Sequence, residues 1–217
     1  YFGPIGASLP RIEDLPLLTG KGRYLDDIRM PGVRHVAVVR SGMAHAVLRA
    51  VETRAAAGVP GVQAVFTIAD LMPMLRSARM PLGAMGAGKQ GTNTPFVLAR
   101  DEVAYVGEPI ALVVAESRYC AEDAAALIEV EYEALEAVHD ARAAILPGSP
   151  CARRELSSNV LDTMKVGYGE VDAAFDRAAH VFADELLQHR GCGQAMEGRG
   201  VLVEPRAADG SLCVWSS

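Results

Sequence analysis

Residues 103–138 read VAYVGEPIALVVAESRYCAEDAAALIEVEYEALEAV, a stretch in which strand and helix patterns follow one another. Apolar runs on either side of Gly107-Glu108-Pro109 predict two strands, the first of which starts at Glu102. Residues 118–127 follow, where alanine, glutamate and leucine favour a helix. A third strand begins at Ile128, because apolar and polar side chains alternate from there on. The stretch therefore predicts a core that mixes strands with a helix.

The sequence before this stretch predicts three further strands. They are Val33–Arg40, which is rich in β-branched residues, then Ala44–Thr53, and Val62–Thr67, which alternates cleanly. Residues 72–95 differ, because proline, glycine and methionine recur there without a period. That composition predicts a long surface loop.

The last third of the chain predicts a second unit. Residues 147–158 (PGSPCARRELSS) have no period and contain two prolines, which is typical of a linker between domains. Glu170–Ala179 carries apolar residues at helical spacing and predicts a short amphipathic helix. Three strands are predicted after it, at His180–Gln188, Gly200–Glu204 and Leu212–Ser216. About 60 residues are few for an independent core, so this unit is expected to need more chain or a partner.

The composition limits the classes of function. Of the 217 residues, 50% are hydrophobic and 22% are charged, as expected for a soluble globular protein. The formal net charge of -6 argues against a nucleic-acid surface, where a basic stripe is expected. No apolar run approaches the roughly 18 residues that span a bilayer. We therefore expect neither a nucleic-acid partner nor a membrane span.

The cysteines and histidines form no recognisable metal-binding pattern. The sequence contains neither a C-x-x-C nor an H-x-x-x-H pair, so neither a zinc site nor an iron–sulfur cluster is predicted on this chain. The wide spacing of Cys120, Cys151, Cys192 and Cys213 fits reduced thiols of a cytoplasmic protein better than a disulfide framework.

Two nucleotide-binding patterns overlap in the predicted loop. Gly83–Lys89 satisfies G-x-x-x-x-G-K, and Gly86–Gly91 satisfies G-x-G-x-x-G. Both motifs bind phosphate only where a strand delivers the glycines and a helix starts directly afterwards. No strand pattern precedes them here, Pro95 prevents an early helix, and Gln90 replaces the magnesium-binding hydroxyl. The loop interpretation is therefore favoured over a nucleotide site.

Residues 189–200 (HRGCGQAMEGRG) concentrate glycines and charged residues between two predicted strands. Glycine at this density indicates tight turns or a close approach of the backbone to another group. One interpretation is a bulged connection in a crowded sheet. The other is that Gln194, Glu197 and Arg199 support a buried cofactor pocket from outside its direct contacts.

Several segments together resemble a known family, the molybdenum hydroxylase large subunits. That family includes xanthine dehydrogenases, aldehyde oxidases and aerobic carbon monoxide dehydrogenases. The segments that resemble its opening α/β hammerhead domain are Pro10–Ile28, Ser41–Thr53, Pro60–Leu71 and Val103–Val138. Those that resemble the start of its molybdopterin-binding region are Gly169–Phe182, residues 189–200 and LCVWSS at 212–217. The HRG…ME-x-RG form is most similar to carbon monoxide dehydrogenase-like enzymes.

The resemblance implies a domain organisation and a chemistry. It implies an α+β fold with a hammerhead domain over residues 1–146, whose leading segment is 1–19, a linker at 147–158, and an incomplete molybdopterin-binding domain at 159–217. It also implies hydroxylation with water as the oxygen source, using molybdenum on molybdopterin, expected as the cytosine dinucleotide. Two electrons would leave through iron–sulfur clusters to FAD, both carried by partner subunits or domains.

The same resemblance limits what residues 1–217 contribute. The cofactor-binding glutamine, the pterin loop and the base-like glutamate of the family have no counterpart here, so we expect no catalytic residue, no metal and no cofactor on this chain alone. The chain is expected to be inactive by itself and to act as a scaffold and docking region in a cytoplasmic complex. Its expected partners are the rest of the large subunit or a second large-subunit chain, an iron–sulfur subunit, an FAD subunit, and a small-molecule substrate (carbon monoxide, an aldehyde or an N-heterocycle).

A second hypothesis comes from another class of protein. The chain could be a stand-alone binding or interaction module that uses the hammerhead fold without redox activity. The genes beside its own would separate the two hypotheses, since an enzyme of this family requires cysteine-rich iron–sulfur partners.

Overall fold

The computed structural model describes residues 5–80, 94–161, 163, 165–189 and 191–217 of the chain. Its α-helices are α1 (Asp14–Leu18), α2 (Arg54–Ala57), α3 (Ile68–Leu71), α4 (Arg118–Ala125), α5 (Ala141–Ala144) and α6 (Val171–Asp176). Its strands are β1 (His35–Arg40), β2 (Ala46–Glu52), β3 (Val62–Thr67), β4 (Glu102–Val103), β5 (Pro109–Ala115), β6 (Glu129–Ala134), β7 (Val201–Pro205) and β8 (Leu212–Ser216). Short 3-10 turns cover Leu25–Asp27 and Met72–Met74. This mixture of helices and small sheets confirms the α+β class.

The packing divides the chain into two compact units. The larger unit is Arg34–Ala179, and the smaller unit combines Tyr1–Val33 with His180–Ser217. The larger unit contains the strands β1 to β6, and the smaller unit contains β7 and β8. The domain limits at 146 and 159 stay a prediction, because a compact unit need not coincide with a domain.

The core of the larger unit forms around β5, the central strand of the antiparallel sheet β1-β5-β3. Leu112 of β5 lies opposite Val38 on one side and Phe66 on the other. Ile110 and Val113 are 1% and 0% exposed, because the continuous apolar run is covered on both faces. The strand predicted after Gly107-Glu108 is therefore confirmed.

A second antiparallel sheet, of order β4-β2-β6, completes the strands of this unit. Val130 and Tyr132 of β6 pack against buried residues of the core, while the alternate residues Glu129, Glu131 and Glu133 are exposed. The predicted alternation is therefore confirmed. The strand predicted from Glu102 is shorter than expected, because the chain turns after Val103 and the Glu108 amide donates to the Tyr105 carbonyl at 3.2 Å.

Helix α4 covers the first sheet and begins close to the predicted residue. Ser117 is its N-cap, with the hydroxyl oxygen accepting a hydrogen bond from the Cys120 amide at 3.2 Å. Ala121 and Ala124 are buried, and Ala124 packs in a cluster with Val113 of β5. Small side chains on this face allow the helix to approach the sheet closely.

The loop predicted at 72–95 lies largely outside the described residues, and so do both nucleotide-binding patterns. Its described ends approach each other. The Met80 amide donates to the Pro95 carbonyl at 2.9 Å, and the Val97 amide donates to the Ala78 carbonyl at 2.9 Å. These two bonds join residues 78–80 to residues 95–97 in antiparallel fashion.

Two of the three strands predicted in the last third are confirmed, and one is wrong. Strands β7 and β8 form an antiparallel hairpin in which Val203 lies opposite Val214. Residues 180–188 form no strand, and every one of them is exposed. Among the described residues no strand pairs with this segment, so its backbone groups lack a ladder. The Asp184 carboxylate instead accepts a hydrogen bond from the Glu185 amide at 2.8 Å, which competes with strand pairing.

Candidate functional site

The three residues proposed from the glycine-rich segment have different surroundings. Gln194 and Arg199 are exposed, whereas Glu197 is half-buried. The Gln194 amide nitrogen Nε2 lies 3.1 Å from the Cys192 sulfur. Among the described hydrogen bonds and ion pairs, none joins any two of the three candidates. The structure therefore places them along one segment and does not bring their side chains together.

Glu197 joins two distant parts of the smaller unit. Its Oε1 accepts a hydrogen bond from the Leu25 amide at 2.6 Å, although 172 residues separate the two. Leu25 opens a 3-10 turn, and the first amides of such a turn have no partner within it. The Asp27 carboxylate accepts from the Tyr24 amide at 2.9 Å at the same turn. Two carboxylates therefore satisfy the amides at the start of this turn.

The end of the glycine-rich segment is anchored in a second way. The Ser217 hydroxyl accepts a hydrogen bond from the Gly200 amide at 2.9 Å and donates to the Gly198 carbonyl at 2.8 Å. A Cβ added to Gly200 would lie 2.5 Å from a methyl carbon of Leu25, so any larger residue would displace that side chain. Gly191 and Gly193 have open space at the corresponding position. The glycine-rich segment is therefore fixed by hydrogen bonds at its end, while its glycines at 191 and 193 have free space around them.

A cavity of about 320 Å³ lies beside Glu197 within the smaller unit. A guanidinium, an indole and hydroxyl groups contribute to its wall, so it combines charge, aromatic surface and hydrogen-bonding groups. Its lining residues are Arg23, Tyr24, Leu25, Ile28, Glu197, Trp215, Ser216 and Ser217.

Two buried carboxylates form the main charged cluster of the larger unit. Glu108 is 0% exposed, and both of its oxygens are occupied. Oε1 accepts from the Arg153 guanidinium at 2.7 Å, and Oε2 accepts from the Ala104 amide at 2.6 Å. Full pairing of this kind is what allows a carboxylate to be buried.

Glu102 is the second buried carboxylate and has a more varied set of neighbours. Its Oε1 accepts from the Arg154 amide at 3.0 Å, and its Oε2 accepts from Arg154 Nε at 3.1 Å. His45 Nε2 lies 3.6 Å from Oε2 and makes no hydrogen bond within the described residues. The other ring nitrogen, Nδ1, lies 2.6 Å from the Glu136 carbonyl. His45 is therefore hydrogen-bonded on one side, to the Glu136 carbonyl, and faces the Glu102 carboxylate on the other.

A third ion pair follows directly along the chain. Glu155 accepts two hydrogen bonds from the Arg79 guanidinium, at 2.6 and 2.7 Å. Three consecutive residues are thus paired with three different partners. We call this arrangement the 153–155 clasp, and its ion pairs are Arg153–Glu108, Arg154–Glu102 and Glu155–Arg79.

Sequence reasoning missed the 153–155 clasp. One signal in the sequence was an Arg-Arg-Glu run inside the segment 147–158, which was predicted to be a linker. The other was the pair of glutamates, Glu102 and Glu108, at the ends of apolar strands. The Arg153–Glu108 and Arg154–Glu102 pairs span 45 and 52 residues, a separation that local patterns do not reveal. The identification of 147–158 as a linker between domains stays a prediction.

Tyr105 lies in the turn held by Glu108, and its ionisation is expected to make stability depend on pH. Burial, followed by the nearby charge of Glu108, raises the pKa of Tyr105 above its ordinary value. The folded state favours the neutral phenol. The contribution of Tyr105 to the free energy of unfolding is therefore fully present below about pH 10, the ordinary pKa of tyrosine, and is lost as the pH rises through the raised pKa. We expect Tyr105→Phe to remove a component at the high-pH end of an ultraviolet tyrosine titration and to make the free energy of unfolding fall less steeply at alkaline pH. An unchanged titration curve at its high-pH end would contradict this expectation.

The described residues show neither a cluster of metal ligands nor a membrane-spanning helix. Across the described ranges, no group of three or more His, Cys, Asp or Glu side chains is placed to hold a metal ion. The four cysteines are free thiols. No described helix has both the length and the apolar character needed to cross a membrane.

Comparison with known proteins identifies the family. Residues 19–136 match the aldehyde oxidase and xanthine dehydrogenase a/b hammerhead domain. The chain belongs to this family. Residues 153–217 match the molybdopterin cofactor-binding domain, so the chain carries part of a molybdopterin-binding region. The resemblance inferred from the sequence segments is therefore confirmed.

The relatives of this hammerhead chain are large subunits of molybdenum hydroxylases, whose amino-terminal part it matches. It is 41% identical, over its whole length, to the nicotine 6-hydroxylase large subunit of Paenarthrobacter nicotinovorans. It is 32% identical, over 98% of its length, to the carbon monoxide dehydrogenase large chain of Afipia carboxidovorans. Each match covers 27% of the relative, so the chain spans about a quarter of their length.

A solved structure gives the same result for the fold. The crystal structure of quinoline 2-oxidoreductase from Pseudomonas putida 86 superposes with a TM-score of 0.76 and 35% sequence identity. The match covers 97% of this hammerhead chain and 26% of that chain. Nearly the whole fold of the present chain is therefore shared with part of that enzyme.

A role for the glycine-rich segment in holding molybdopterin stays a prediction. Gln194 and Arg199 are exposed, and one oxygen of Glu197 is already bonded to the Leu25 amide. The open space around Gly191 and Gly193 leaves the glycine-rich backbone accessible to a ligand.

Proposed function

We propose that the polypeptide to which this chain belongs hydroxylates a carbon of an N-heteroaromatic ring, with water as the oxygen source. The observation that carries this proposal is the 41% identity, over the whole chain, to a nicotine 6-hydroxylase large subunit. The similarity to a quinoline 2-oxidoreductase supports the same class, because both named substrates contain a ring nitrogen. A ring carbon beside such a nitrogen is electron-poor and open to attack by an oxygen nucleophile.

The proposed reaction has a simple balance. One C–H bond is replaced by a C–O bond, water supplies the oxygen, and two protons and two electrons are released. Molybdenum, when bound, would supply the chemistry that activates water as the oxygen donor and that takes up the two electrons. We propose the cytosine dinucleotide form of molybdopterin, and iron–sulfur clusters and FAD on partner subunits as the route by which the electrons leave.

The proposed partners follow from the relatives. One relative, 34% identical over 98% of the chain, is subunit gamma of the 6-hydroxypseudooxynicotine dehydrogenase complex of Paenarthrobacter nicotinovorans. We propose a cytoplasmic assembly with an iron–sulfur subunit, an FAD subunit, and the rest of the large subunit or a second large-subunit chain. Within it, this chain acts as scaffold and docking region, and Gln194, Glu197 and Arg199 support the cofactor from its periphery.

Carbon monoxide is the second candidate substrate. It is favoured by the 32% identity to a carbon monoxide dehydrogenase large chain, and by a TM-score of 0.77 to reconstituted CO dehydrogenase from Oligotropha carboxidovorans. The named relatives give no support to a stand-alone interaction module, since they are enzymes or subunits of enzymes. The two substrate classes can be separated in one assay.

The complete polypeptide, purified with its copurifying subunits, is expected to contain stoichiometric molybdenum by mass spectrometry. With an artificial electron acceptor it should oxidise nicotine or quinoline faster than carbon monoxide, and oxygen from isotope-labelled water should appear in the product. The isolated 217-residue chain is the control and is expected to be inactive. Absence of molybdenum, or oxygen drawn from air, would overturn the proposal, while oxidation of carbon monoxide alone would select the second candidate.

A further inference from the structure

The 153–155 clasp joins the two regions that family comparison separates. Glu102 and Glu108 lie within the hammerhead match at 19–136, whereas Arg153 and Arg154 are the first two residues of the match at 153–217. We propose that the 153–155 clasp is a positioning device that fixes the start of the cofactor-binding region on the hammerhead core. The ion pairs, in addition to the peptide connection, then set the position at which the cofactor-binding region begins.

Burial makes the Arg153–Glu108 pair costly to break. The side chains of Arg153 and Glu108 are 10% and 1% exposed. If Arg153 is removed, Glu108 remains buried with one oxygen unpaired, and a lone buried charge is strongly unfavourable. The Arg49–Glu133 pair of the same unit is half-exposed, at 56% and 53%, where ion pairs contribute little. The chain therefore contains its own matched control.

The segment that carries the clasp is also closed on itself. The Asn159 side chain accepts from the Ala152 amide at 2.7 Å and donates to the Pro150 and Ala144 carbonyls at 2.8 and 2.9 Å. These bonds fix the loop that presents the three clasp residues. The Arg154 amide, as well as its side chain, donates to Glu102, so the backbone itself is held.

The order of charges gives the contact a defined register. Along residues 153–155 the signs are plus, plus, minus, and their partners Glu108, Glu102 and Arg79 carry the opposite signs. A slip of one residue would bring Glu155 towards Glu102 and oppose two carboxylates. Arg79 is fixed in turn, because its guanidinium carbon lies 4.1 Å from the centre of the Phe96 ring. Like-charge repulsion thus excludes the neighbouring register.

Amide hydrogen exchange in the complete polypeptide tests the proposal. Arg153→Met is expected to speed exchange across residues 150–160 by about a hundredfold or more, the factor expected when one partner of a buried pair is lost. The combined Arg153→Met and Glu108→Gln variant should exchange more slowly than the product of the single effects predicts. Arg49→Met is the control and should change little. Equal effects of Arg153→Met and Arg49→Met would refute the clasp.

A charge exchange keeps the test decisive if Arg153→Met fails to fold. Arg79 and Glu155 are only 21% and 34% exposed, yet both reach the surface, so a reversed pair can be accommodated. Arg79→Glu alone should open residues 150–160, and Arg79→Glu combined with Glu155→Arg should restore their protection. If the reversed pair protects no better than Arg79→Glu alone, ion pairing does not hold this segment and the proposal is wrong.

Discussion

Amides of residues 181–187 are expected to exchange roughly a thousandfold or more faster than those of β5, because one segment is open to solvent and the other requires unfolding of the core. Every residue from 180 to 189 is exposed, and no described strand pairs with this segment. Strand β5 is hydrogen-bonded on both sides. Exchange measured by mass spectrometry on the dilute 217-residue chain gives this ratio directly.

The β7–β8 hairpin serves as the internal control for this measurement. It belongs to the same unit as residues 181–187, yet its backbone pairs in register from Val201 to Pro205. We expect intermediate protection there. If residues 181–187 were as protected as β5 in a monomer, they would have to be in a sheet, and the description of this segment would be wrong.

Ile110→Ala is expected to lower the free energy of unfolding of the larger unit by about 2–5 kcal/mol. Ile110 is 1% exposed and packs with Ala46, Ala99 and Val103, whose small side chains cannot fill the space left behind. Urea denaturation followed by circular dichroism measures the loss.

An edge position provides the matched control for this substitution. Val36 of β1 is 55% exposed, so Val36→Ala should change the free energy of unfolding by no more than about 0.5 kcal/mol. Similar losses for Ile110→Ala and Val36→Ala would show that β5 is not the centre of the core. A smaller loss for Ile110→Ala than for Val36→Ala would exclude the proposed packing entirely.

Local chemistry made much of the larger unit predictable. The apolar run at β5 has no other low-energy environment than a buried strand, and Ser117 followed by an alanine-rich segment marks the start of α4. The same reasoning failed at 180–188, because a local residue pattern does not indicate whether a neighbouring strand exists to pair with the segment. Pairing is a property of the whole fold.

The charged features of the fold could be predicted less well. The sequence drew attention to Gln194, Glu197 and Arg199 because glycines surround them, and of these Glu197 alone is half-buried. Its Leu25 partner is 172 residues away, so no spacing rule could have named it. The 153–155 clasp was hidden for the same reason, since arginines in an irregular segment usually indicate a solvated surface.

The acidic edge of β6 has a consequence for how copies of this protein meet. Strand β6 is the outer strand of its sheet, and Glu129, Glu131 and Glu133 lie exposed along it. Bare strand edges are templates on which further chains can add and grow into aggregates. If a second copy paired antiparallel with this edge and placed Glu131 opposite Glu131, glutamates would face each other at every second position, which is unfavourable. The row of carboxylates therefore disfavours the addition of further copies at this edge, and with it open-ended polymerisation, during and after folding.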